Sequence, residues 1–138
     1  QTGYLDSPNT PLYPFGFGLS YTTFEYSNFT LSADSMTENG TLTASVTVKN
    51  TGNYDADEVV QLYIRDLVGS VSRPVKELKG FERISLKKGE SKTVNFTINA
   101  ELLKFYNSNL DFVCELGEFE VMVGPNSRDV QTKKFTLK

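Results

Sequence analysis

The 138-residue sequence has no histidine, no tryptophan, one cysteine (Cys114), two methionines and five prolines. Without histidine, the commonest general base and the commonest metal ligand are both missing. A single cysteine excludes an internal disulfide. The 14 Lys and Arg set against 17 Asp and Glu leave a net charge of −3, with no block of five or six like charges. That balance lacks the basic patch that nucleic acid or an anionic membrane surface requires. The longest apolar run is a few residues, far short of the roughly 20 that span a bilayer. Neither nucleic acid binding nor membrane insertion is therefore expected. The sequence starts at Gln1 with no signal peptide, so the chain is expected to be a piece or a mature form.

What is present is ordinary for a globular protein: 38% hydrophobic and 22% charged residues. The length fits one domain able to build its own core. One stretch stands out. Pro11 to Phe24 holds Tyr13, Phe15, Phe17, Tyr21 and Phe24 with Pro11, Pro14, Gly16 and Gly18. Proline fixes φ and glycine releases it, so this stretch forms neither a regular helix nor a central strand. Loops normally run over the surface and are polar. An apolar irregular segment needs a surface to lie on, supplied by this chain or by a neighbour. Residues 1–20 thus read as a linker and aromatic strap, and residues 21–138 as the folded domain.

From Phe24 onward, alternation with period two takes over. Phe24 and Tyr26 share one parity, Phe29 and Leu31 the other, and the slip near Asn28 suggests a bulge. Asn39-Gly40 is a hairpin signal. Leu42, Ala44, Val46 and Val48 face one way, as do Val60, Leu62 and Ile64 within Glu58 to Asp66. The other face of that second strand carries Val59, Gln61, Tyr63 and Arg65, less polar than usual. Val75 to Leu86 holds Leu78, Phe81, Ile84 and Leu86, with Pro74 at its start. Val94, Phe96 and Ile98 form another inward set. Ala100 to Tyr106 is the one helical stretch, two turns at most, with Asn99 as its N-cap. Leu110, Phe112 and Cys114 share a face, and so do Phe119, Val121 and Val123. Gly124 to Ser127 turns, and Val130 to Leu137 closes the chain. Seven or eight short antiparallel strands with turns between them predict an all-β sandwich. Because the tryptophan and cysteine pair of antibody domains is missing, the expectation is the fibronectin III branch of that immunoglobulin-like architecture, with one short helical turn near 100–106.

Four ordered blocks carry a resemblance. Leu12-Tyr-Pro-Phe-Gly-Phe-Gly-Leu-Ser-Tyr-Thr-Thr-Phe24 resembles the segment leading into the C-terminal domain of family 3 glycoside hydrolases. Asn50-Thr-Gly-Asn-Tyr-Asp-Ala-Asp-Glu-Val-Val-Gln-Leu-Tyr63, Arg73-Pro-Val-Lys-Glu-Leu-Lys-Gly-Phe81 and Leu116-Gly-Glu-Phe-Glu-Val-Met-Val-Gly124 resemble three later blocks of that domain, in the same order. The resemblance implies a fibronectin type III-like accessory domain of a β-glucosidase- or β-xylosidase-like enzyme. A (β/α)₈ barrel and an α/β domain would be its partners and would hold the catalytic carboxylates and the carbohydrate substrate. Location in the periplasm or outside the cell follows the family's habit. No residue of this chain matches either catalytic motif, and no catalytic residue, metal or cofactor is expected.

The interdomain contact is expected at Tyr13, Pro14, Phe15, Phe17, Leu19 and Tyr21 of the strap and at Arg73 and Lys76. Rings bury large areas with few rotamers to freeze. The rival readings, that the strap closes an open edge of its own sandwich or offers rings to a sugar, come after the interdomain clasp, since rings in a Pro/Gly-rich strap are expected buried rather than presented. The charges around Pro74 serve either an edge contact or edge protection. Asp55, Asp57 and Glu58 lack the spacing of a calcium loop and read as solvated carboxylates. Glu118 and Glu120, two apart on one face and about 7 Å from each other, have the separation of a glycosidase pair but nothing to raise one pKa. Cys114 reads as a small buried apolar residue. Asn28, Asn39 and Asn95 each sit in an N-x-Thr sequon. The rival functions are a stand-alone carbohydrate-binding module and an adhesion or spacer module.

Overall fold

Alternation becomes strand wherever it runs unbroken. The computed structural model describes residues 23–67 and 76–138. Among them the strands are β1 (Phe24–Leu31), β2 (Ser35–Met36), β3 (Leu42–Asn50), β4 (Ala56–Asp66), β5 (Lys76–Leu86), β6 (Ser91–Ile98), β7 (Phe105–Tyr106), β8 (Phe112–Val113), β9 (Gly117–Gly124) and β10 (Gln131–Leu137), with a 3₁₀ turn at Ala100–Leu103. Seven of these have seven or more residues (β1, β3, β4, β5, β6, β9, β10). They form a sheet of order β1-β3-β6 and a sheet of order β2-β10-β9-β4-β5, and β7 and β8 make a separate hairpin. The long strands all pair antiparallel. The two-residue β2 departs from that rule by pairing parallel with β10.

The core is the set of inward residues from both sheets. Leu42, Ala44 and Val46 of β3 meet Ile98, Phe96 and Val94 of β6 in register, and Val48 is buried beside them. Facing them, Leu62 and Ile64 of β4 lie opposite Val123 and Val121 of β9. Phe119 and Phe135, cross-strand partners on β9 and β10, stack with ring centroids 5.5 Å apart. Burial of this apolar area is the main term holding the sandwich together.

Local irregularities follow residue chemistry. Asn28 sits at φ 55, inside the register shift between Ser27 and Thr30, and Asn tolerates the left-handed region better than most side chains. The expected bulge is there. Gly124 is required by a close approach: a Cβ there would sit 2.4 Å from the Asp129 carbonyl oxygen.

Several expectations need correction. Asn39-Gly40 turns the chain, with the Gly40 amide donating to the Thr37 carbonyl at 2.9 Å, but it makes no hairpin. It carries the chain from β2 in one sheet to β3 in the other. The helical stretch is a single 3₁₀ turn. Asn99 caps it as expected, accepting from the Leu102 amide at 3.1 Å, but Phe105 and Tyr106 are extended and pair with β8. Leu110, Phe112 and Cys114 do not share a buried face. The Asn107 side chain accepts from the Asn109 and Asp111 amides and curls this segment. Leu110, at φ 65, and Phe112 are exposed, and Cys114 is only half-buried against the core. Leu78 and Phe81 are likewise exposed. Phe81 has the parity opposite to Ile84. Leu78 is turned outward by an extra residue, Lys79, between the pairs Leu62–Gly80 and Tyr63–Leu78.

Candidate interdomain contact surface

Of the expected contact residues, Tyr13, Pro14, Phe15, Phe17, Leu19, Tyr21 and Arg73 lie outside the described residues. Lys76 opens β5 opposite Arg65, half-buried, and its ammonium donates to the Ser127 carbonyl in the β9–β10 turn. That contact ties the edge strand to a turn two strands away.

The carboxylates are placed for structure. Glu118 is exposed, and Glu120 pairs with Arg65 at 3.4 Å. Asp55 accepts from the Lys88 amide at 2.8 Å. Asp57 accepts from Ser85 and from two guanidinium nitrogens of Arg83 at 2.7–2.9 Å. These bonds hold its carboxyl below the usual range, Ser85 contributing most. Glu58 has the opposite parity and points inward, where Tyr26 of β1 donates to it at 2.8 Å. Burial pushes the Glu58 carboxyl up, against the hydrogen bonds from Tyr26 and the Val59 amide. Burial also pushes the Tyr26 hydroxyl up, with the Glu58 charge adding to it. Among the described residues no three His, Cys, Asp or Glu side chains are placed to hold a metal ion.

The Glu58–Tyr26 pair makes a pH prediction. A carboxyl whose folded pKa is raised stabilises the fold below its unfolded pKa and loses that contribution as pH rises through the folded value. Glu58→Gln keeps an acceptor for Tyr26 and removes the buried charge. The variant is therefore expected to be more stable than the parent near pH 7.5, with the gap closing towards pH 4. Urea midpoints of both proteins at the two pH values test this. Asp57 titrates in the opposite sense, but it is common to both proteins and cancels.

Aromatic and basic groups converge at the edge of β5. The Lys79 ammonium donates to the Lys104 carbonyl at 2.8 Å and lies 3.3 Å from Glu77. It sits over the Phe105 ring, 4.3 Å from its centroid, and 5.6 Å from that of Phe112. The bulge aims this lysine at the β7–β8 hairpin, where Tyr106 and Phe112 are cross-strand partners with centroids 4.9 Å apart. Sequence reasoning missed this clamp, because alternation gives no sign of a one-residue bulge.

The outer face of the five-stranded sheet is the least expected surface. Cross-strand pairs there are Tyr63–Leu78, Gln61–Phe81 and Val59–Arg83, and Met122 of β9 lies opposite Tyr63. Leu78 is 52% and Phe81 68% exposed, and Val59 is exposed as well. The unusually apolar odd-numbered set on β4 was the visible signal. Its partners on β5 were not.

Comparison with known proteins agrees with this architecture. The fibronectin type III-like domain family matches residues 58–127. A periplasmic β-glucosidase of Salmonella typhimurium is 52% identical over 134 residues, which is 97% of this chain and 18% of the relative. A β-xylosidase of Formosa agariphila is 50% identical over 137 residues, 98% of this chain and 19% of the relative. The crystal structure of a β-glucosidase from Listeria innocua in complex with glucose superposes with a TM-score of 0.77 at 43% identity, covering 98% of this chain and 19% of that one. The chain thus spans about a fifth of the length of the curated relatives it matches. Among the described residues no helix is long and apolar enough to cross a membrane. The two-sheet topology and the match over more than half the chain agree, and the protein belongs to the fibronectin type III-like domain family.

Proposed function

We propose that this chain is the non-catalytic C-terminal accessory domain of a retaining β-glucosidase- or β-xylosidase-like family 3 glycoside hydrolase. The carrying observation is that nearly the whole chain aligns with only a fifth of enzymes of that type. The described carboxylates support the reading: each of Asp57, Glu58 and Glu120 is engaged by a structural partner. The chain packs on the barrel and α/β domains and supports a site whose two carboxylates and bound carbohydrate lie in those domains. Tyr13, Pro14, Phe15, Phe17, Leu19 and Tyr21 form the seam, with Arg73 and Lys76 beside it. The enzyme works in the periplasm or outside the cell, as the periplasmic relative does by name.

The test is direct. The 138-residue chain is expected to give no hydrolysis of an aryl β-glucoside or β-xyloside, while the full product of its gene hydrolyses at least one of them. Turnover by the isolated chain would overturn the non-catalytic assignment. A gene encoding no barrel and α/β domains would overturn the accessory one.

A further inference from the structure

We infer that the outer face of β4 and β5, centred on Val59, Tyr63, Leu78 and Phe81, is the docking face for the body of the parent polypeptide. This rests on the accessory-domain reading above and names the surface that reading requires. A sheet face turned to water normally alternates to polar residues. Here the four apolar residues, with Gln61 between them, occupy successive rows of two paired strands. On the third strand Met122 lies opposite Tyr63 but is buried, so the exposed patch stays on β4 and β5. Contiguous exposed apolar surface of this kind marks an interaction site.

Three observations select the occupant. About four fifths of each matched relative lies outside the region this chain covers, so a large protein surface is attached to it. The described chain enters at Thr23, whose carbonyl accepts from the Thr51 amide at 2.9 Å. Thr51 stands five residues before β4 begins, so Thr23 lies at the corner that leads into the strand carrying Val59 and Tyr63. The polar groups around the patch are paired within the chain, except that Arg65 Nε is buried without a hydrogen-bond partner. Tyr63 donates to Gln61, Arg65 pairs with Glu120 and Arg83 with Asp57. An apolar centre with a self-neutralised rim fits a largely apolar protein surface.

Hydroxyl-radical footprinting read by mass spectrometry tests the inference, with the dose calibrated by an added peptide. Phe81 and Leu78 are expected to label readily in the 138-residue chain and several-fold less in the full gene product. Equal labelling in both would overturn the inference. The Leu78→Ser, Phe81→Ser double variant adds a second reading. In the full product it is expected to lower the melting temperature by several degrees, because an interface core loses two apolar anchors. In the 138-residue chain the melt is expected to stay put, since exposed sites tolerate polar replacement. An unchanged melt of the full product would overturn the inference. So would a 138-residue chain that is dimeric and made monomeric by the double variant, since the face would then belong to a second copy. All three overturning results leave the accessory-domain reading standing, because that reading fails only on the gene and on turnover.

Discussion

Replacing Phe119 by alanine is expected to lower the unfolding free energy of this chain by about 3–5 kcal/mol. Phe119 has 0% of its surface exposed. It lies in the middle of the five-stranded sheet, opposite Asp66 on β4 and Phe135 on β10. Its ring stacks nearly parallel on Phe135, at 13° between planes, and meets Phe105 with centroids 6.5 Å apart. Alanine removes the partner of both rings. Two sheets joined at their corners cannot collapse far to fill the space, so the cavity cost adds to the lost transfer energy. A domain of this size has a total stability of about 5–15 kcal/mol, so the variant is left marginal or unfolded. Urea denaturation followed by circular dichroism is the measurement. Phe119→Leu, which keeps most of the volume, is expected to cost clearly less. Equal costs would mean that the ring itself, and not the volume it fills, carries the effect, and would overturn the cavity account.

The residue is legible in the sequence, because Phe119, Val121 and Val123 alternate without interruption. The same holds for Leu42 to Val48 and Val60 to Ile64. Where a strand is regular and one face is buried, period two fixes the inward set. The misreadings sit where a single residue breaks that period. Lys79 is inserted into β5 and turns Leu78 outward. Nothing in the sequence around Glu77 to Gly80 marks the insertion, because bulges are set by pairing with a distant strand. Ala100 to Tyr106 has helical composition, yet Leu103 and Phe105 are pulled into the core, and tertiary burial ends the turn after four residues. Asn39-Gly40 is a sound turn signal. Whether a turn joins neighbours in one sheet or crosses to the other depends on the pairing of β2 with β10. The candidate contact surface was half legible. Val59 and Tyr63 betrayed themselves by being apolar at outward positions. Leu78 and Phe81 are placed on the strand without a face, because their opposite parity leaves the inward set of Val75 to Leu86 undefined. The sequence placed the contact in the aromatic strap, whereas the described residues show a second apolar surface on the sheet.

Asn50 carries the other large expected effect. It ends β3 with 0% exposure, one of few polar side chains buried this deeply among the described residues. Its side-chain amide donates to the Tyr54 carbonyl at 2.7 Å and to the Leu86 carbonyl at 3.1 Å, and its side-chain oxygen accepts from the Gly52 amide at 2.9 Å. Its backbone donates to the Glu90 carbonyl and accepts from the Gly89 amide. One residue thereby joins the two corners where the chain changes sheet, β3 to β4 and β5 to β6. Asn50-Thr-Gly52 has turn chemistry, but the Leu86 bond reaches 36 positions away, beyond anything local spacing can report. Asn50→Ala leaves the Leu86 and Tyr54 carbonyls without this donor. At about 1–3 kcal/mol for each buried group left unsatisfied, a loss of roughly 2–4 kcal/mol is expected. Asn50→Asp is the sharper comparison. It preserves shape and the acceptor for Gly52, but near pH 7 it sets a carboxylate against two carbonyl oxygens. Burial and those oxygens raise the carboxyl pKa in the folded state. The stability of the Asp variant is therefore highest in acid and falls as pH rises through that value. At pH 7 it is expected to be less stable than the Ala variant, and towards pH 4 it should recover. Urea midpoints of the two variants at both pH values decide the point: a gap that does not change with pH would show that Asn50 acts as a space-filler and not as the donor that locks the corners.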